Sequence, residues 1–133
     1  MIVIICLDDN LGMMFNNRRQ SRDAVLINKI NELTKNNVLW MSNYSSSLFL
    51  KSTNILIDED FLSKASASDF CFVEGMKLSA FEEKIEKLIV FKWNCTYPYD
   101  VVFDIDLRQW NLVNSTDFEG KSHEKITMEV YSK

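Results

Sequence analysis

One proline, three glycines and one histidine are spread over 133 residues, and each scarcity removes a class of structure. Pro98 is the only proline and no glycine-rich run occurs, so the chain offers no linker and no low-complexity stretch. The length fits one domain, 1–133. His123 stands alone, while Cys6, Cys71 and Cys95 are odd in number and lack the close spacing of metal-ligand pairs. That composition excludes a recognisable zinc framework and predicts buried free thiols in a reducing, cytoplasmic setting. No apolar run approaches the ~20 residues that span a bilayer. The opening run Met1-Ile-Val-Ile-Ile-Cys-Leu lacks a basic start and a small-residue cleavage site, and it ends in Asp8 and Asp9. It therefore reads as a buried strand and not as a secretory leader. A net charge of −4 argues against nucleic acid as the main partner.

What remains is ordinary globular material. Hydrophobic residues make up 47% and charged residues 26%, enough for a core without staples. Apolar runs predict strands at 2–7, 38–41, 54–57, 70–73 and 88–93. Helical spacing, with Ser21 as a cap, predicts a helix over 22–33; shorter helices are expected at 42–49 and 61–67, and a longer one at 78–87. Residues 8–20, with Gly12, read as a loop. Alternating segments at 110–113 and 126–131, joined by a polar loop, predict a closing antiparallel hairpin beside 88–93. The architecture expected is α/β: a mostly parallel central sheet with flanking helices and a C-terminal antiparallel hairpin.

Three places could carry chemistry. Arg18, Arg19 and Arg22 crowd a short segment, and planar guanidinium forks suit a carboxylate or phosphate; a solvated basic loop explains them equally well. Ser42, Asn43 and Ser45 open one helix, and Gly75 and Met76 open another. Free N–H groups there suit an anion, although serine capping is the plainer explanation. Met13, Met14 and Phe15 follow Gly12 and either plug the open end of the sheet or line a pocket. The pairs Asp8/Asp9 and Asp104/Asp106 have no histidine or cysteine beside them and read as turn and edge residues, with no metal expected. His123 reads as a surface loop residue.

Several segments resemble the dihydrofolate reductase family in order and spacing across nearly the whole chain. They are Leu7-Asp8-Asp9-Asn10-Leu11-Gly12-Met13, Val38-Leu39-Trp40-Met41-Ser42-Asn43-Tyr44-Ser45, Phe72-Val73-Glu74-Gly75, Asp100-Val101-Val102-Phe103 and the closing hairpin. The resemblance implies that family's fold. It sets Asp23 near the family's catalytic acid, and it makes the helix ends at Ser42 and Gly75 converge on one cofactor diphosphate. Phe15, Arg18, Arg19, Arg22 and Met76 complete the set of candidate ligand contacts. The departures bear on activity. Glu74 replaces the first glycine of the family's pair, Asn43-Tyr44 replaces its Arg-Thr, and a segment between Ile57 and Phe70 is missing. A carboxylate beside a diphosphate repels it. The chain is therefore expected to bind a small anionic or nucleotide-like ligand, or a protein partner, without reductase activity and without a cofactor. An NADPH-dependent reductase of altered substrate is the alternative.

The Gly-Met-Met-Phe-Asn and Arg-Arg-Gln-Ser-Arg-Asp runs also resemble an uncharacterised bacterial family that often carries a "ribonuclease Z" label. The chemistry behind that label needs several histidines to hold two zinc ions, and His123 is alone.

Overall fold

The computed structural model describes all 133 residues, Met1–Lys133. Ten strands are present: β1 (Ile2–Leu7), β2 (Gly12–Phe15), β3 (Arg18–Arg19), β4 (Leu39–Met41), β5 (Ile55–Ile57), β6 (Phe70–Phe72), β7 (Lys87–Lys92), β8 (Val101–Val102), β9 (Asn111–Phe118) and β10 (Ile126–Ser132). Three α-helices accompany them: α1 (Ala24–Thr34), α2 (Asn43–Ser46) and α3 (Phe61–Lys64). Seven strands form one sheet in the order β5-β4-β6-β1-β7-β10-β9. β1 lies parallel to β6 and to β7, so Ile4 is flanked by Phe72 and Ile89. β10 runs antiparallel to β7 and to β9, which closes the sheet with the hairpin expected from the alternation.

The central strands are apolar on both faces because both faces are covered. With side chains alternating at period two, Val3, Ile5 and Leu7 join Leu88, Val90, Phe61 and Phe103 on one side. On the other side Ile4, Ile89 and Phe91 meet Leu26 and Ile30 of α1. The hairpin's outer strand β9 is exposed along most of its length and carries Leu112 and Val113 at the sheet's edge. No helix is long and apolar enough to cross a membrane.

Three local expectations are corrected. Residues 8–20 are not simply a loop: β2 pairs with β3 and with β8, giving a second sheet of three strands. Its reversal at Asn16 and Asn17 uses left-handed backbone, φ 53° and 61°, which asparagine tolerates. The helix expected at 78–87 is a 3-10 segment, Ser79–Lys84, running straight into β7. Asp104 stops it growing backwards by accepting from the N–H groups of Leu78 and Ser79. The cap of α1 is Asp23, whose carboxylate accepts from Val25 N–H at 2.9 Å, and Ser21 is free for other contacts.

Candidate functional site

Parallel α/β sheets bind ligands beyond the carboxyl ends of their strands. Here that end is bounded by α1, and two hollows lie against this helix. The inner one is lined by Cys6 of β1, by Phe72, Val73 and Glu74 at the end of β6, by Trp93 after β7, and by Arg19. The space a water centre can reach inside it is about 20 Å³, room for about one water molecule. Gln20 Oε1, on this wall, is buried without a protein partner.

The inner hollow is small because the chain fills it with its own groups. Arg19 Nε donates to Glu74 Oε2 at 2.8 Å and Arg19 Nη2 to Glu74 Oε1 at 3.0 Å, a bidentate pair. Ser45 Oγ donates to the same carboxylate at 2.8 Å. The guanidinium also lies 4.4 Å from the centre of the Tyr44 ring. The Met14 side chain covers Gly75, where a Cβ would stand 1.9 Å from its sulfur. Gly75 has φ +73°, so glycine is required there twice over, by backbone and by space. The N-terminus of α2 is also occupied: Asn43 N–H donates to Glu59 Oε2 at 2.8 Å.

The outer hollow is a groove between α1, residues 47–51 and the loop before β10. The space open to a water centre is about 720 Å³. Arg22, Lys51 and Lys121 stand on its walls with Ile27, Leu48 and Leu50 between them. None of those three cations belongs to an ion pair in this structure. The one acid in the wall, Asp23, is already saturated.

Asp23 has no exposed side-chain surface. Its oxygens accept from the N–H groups of Val25, Lys121 and Ser122 at 2.9–3.0 Å, from Ser122 Oγ, and from His123 Nδ1 at 2.9 Å. Burial alone would raise its pKa; the His123 bond and then the backbone donors hold it well below the usual carboxylate range. Gly120 permits this wrapping, since a Cβ there would lie 2.6 Å from Asp23 Oδ2. His123 is therefore not a surface residue. Its side chain is 9% exposed, it stacks on Trp93, and its Nε2 lies 3.0 Å from Ser21 Oγ and 3.1 Å from the Tyr97 hydroxyl.

Of the residues singled out in the sequence, Arg19, Arg22 and Asp23 meet at the inner hollow, and Arg22 and Asp23 also reach the groove. Ser45 is buried against Glu74, and Gly75 lies under Met14. Phe15, Arg18, Ser42, Asn43 and Met76 line neither hollow. Met13 is buried in the core beside Val73 and also lines the inner hollow. Lys51, Lys121 and Leu48 were not among the candidates, and His123 was expected only as a surface loop residue. The first three look like any exposed or capping-region residue, and His123 meets Asp23 across 100 positions of chain. Burial pushes the Cys6 and Cys71 thiols up, Cys71 to about 12, which suits packing and not nucleophilic work. No three His, Cys, Asp or Glu side chains gather in a way that could hold a metal ion.

The architecture is that of dihydrofolate reductase. A dihydrofolate reductase from Enterococcus faecalis, solved in complex with NADP(H) and RAB-propyl, superimposes with a TM-score of 0.70. The match covers 98% of this chain and 94% of that one at 13% sequence identity, a level at which the likeness establishes the fold. No family model and no curated protein matches the sequence.

Proposed function

We propose that this chain is a dihydrofolate reductase-like domain without reductase activity, and that it binds a small anionic ligand in the groove beside α1. The observation that carries this reading is the set of three unpaired cations, Arg22, Lys51 and Lys121, on the walls of an open groove in a chain of net charge −4. Leu48 and Leu50, the latter 85% exposed, add apolar surface between the cations, so the ligand expected joins an apolar body to a carboxylate or phosphate end. The reductase of matching fold holds NADP(H). Against the same use here stand Met14 over Gly75 and the Arg19–Glu74 pair. NADPH is expected not to bind, and dihydrofolate not to be reduced.

Calorimetric titration with phthalate, an aryl dianion, tests the reading. Binding should weaken with added salt and fall about tenfold in the double variant Arg22→Ala/Lys121→Ala, a loss of about 1.4 kcal/mol. Equal binding by wild type and double variant would remove the groove from consideration. Micromolar NADPH binding with altered cofactor fluorescence would instead favour a working reductase.

A further inference from the structure

His123 sits where three segments meet, residues 21–23, residues 93–97 and its own loop; Nδ1 lies within hydrogen-bond distance of Asp23 and Ser122, and Nε2 of Ser21 and Tyr97. Asp23, ionised and held by three backbone N–H groups, can only accept. The 2.9 Å contact therefore places the imidazole hydrogen on Nδ1. In the tautomer with its hydrogen on Nδ1 the lone pair is at Nε2, and Ser21 Oγ is 3.0 Å from that atom. Trp93 fixes the plane of the ring, with centroids 4.6 Å apart and 27° between planes. This is a hydroxyl, an imidazole and a carboxylate in hydrogen-bonded series, from residues 21, 123 and 23.

We propose that Ser21, His123 and Asp23 form a nucleophilic triad that hydrolyses a small carboxylic ester. The hydroxyl is half-buried on the wall of the inner hollow, beside Arg22, which opens onto the groove. As Ser21 Oγ bonds to the ester carbonyl carbon, its proton passes to His123 Nε2. The carbonyl π pair moves to oxygen and returns as the bond to the leaving alkoxide breaks, and the alkoxide takes the proton from Nε2. Water then repeats the sequence on the acyl-serine, giving it a new C–O bond, returning the proton to Ser21 and releasing the acid. Asp23 acts as a positioning residue that keeps the tautomer. The hollow beside Ser21, with room for about one water as it stands, admits no more than the carbonyl end of the ester, and the rest of the substrate lies toward Arg22 and the groove. The Tyr97 hydroxyl, 3.1 Å from Nε2, competes with Ser21 for the same lone pair and restrains the resting site.

The test is labelling of the intact protein with a fluorophosphonate, read by mass and peptide mapping, alongside release of nitrophenol from p-nitrophenyl acetate. The triad predicts one adduct, on Ser21, absent in Ser21→Ala. Labelling should be at least tenfold slower in His123→Gln and several-fold faster in Tyr97→Phe. An unlabelled wild type, an adduct elsewhere, or a folded His123→Gln labelled as fast as wild type would overturn the proposal. Should His123→Gln fail to fold, Tyr97→Phe decides: a rate no higher than wild type contradicts the shared lone pair on which the geometry rests. The expected result stands whether or not phthalate binds in the groove.

Discussion

The two hollows beside α1 share Arg22, Asp23, Ile27 and Leu48, yet one is closed and the other open. On the inner side Arg19 holds Glu74 and Asp23 holds the loop before β10, which leaves only Arg22, shared with the groove, outside an ion pair. On the outer side the cations stand unpaired around apolar side chains. The difference teaches that helix ends and arginines do not by themselves make an anion site. What decides is whether the chain's own carboxylates reach them first, as Glu59 reaches α2 and Asp104 reaches the 3-10 segment.

Removing the inner partners should therefore cost stability, while removing the outer cations should cost binding only. The largest effect is expected from Asp23→Ala. It deletes a helix cap and strands the part-buried N–H groups of Lys121 and Ser122 together with the His123 ring, for about 3 kcal/mol by urea unfolding. Loss below about 1 kcal/mol would mean that the loop holds itself. Acid should act through the same group. Because its folded pKa is depressed, its stabilisation is complete above the unfolded value of about 3.9 and is lost as pH falls below it. Wild type should thus lose stability in that window, and Asp23→Ala should show a shallower slope.

Gly75→Ala comes next, at about 2 kcal/mol, from the Met14 clash and the left-handed backbone. Adding Met14→Ala should recover the steric part and leave the conformational part, which a double-mutant cycle separates. Arg19→Ala should cost about 1–3 kcal/mol by leaving Glu74 unpaired at 10% exposure. Arg22→Ala, at the groove, should change stability by less than about 0.5 kcal/mol. Similar losses in those last two variants would erase the contrast between the hollows.

The fold was legible because the strands announce themselves: apolar runs at β1, β6 and β7, β-branched in the first and last of these, and alternation in the final hairpin. The small sheet at β2, β3 and β8 was hidden. Its pieces are two to four residues long, too short for a period, and β2 meets β8 across most of the chain. The helix expected at 78–87 had the right composition, but Asp104, distant in sequence, fixed its start as a tighter turn. Of the candidate site, the arginine cluster was visible and its use was not. Nothing in the order of residues says that Arg19 turns to Glu74 while Arg22 remains free. His123 looked like a loop residue because its partners, Ser21, Asp23 and Tyr97, lie 26 to 102 positions away.

Amide chemical shifts of the ¹⁵N-labelled protein test the contrast most directly, with phthalate and NADPH added to separate samples. Phthalate should move the amides of Arg22, Lys51 and Lys121 while those of Ser45, Glu74 and Gly75 stay in place, and NADPH should move neither group. Shifts at Ser45, Glu74 and Gly75 on adding NADPH would contradict the contrast, because the inner hollow would then open to the cofactor that its own side chains are held here to exclude.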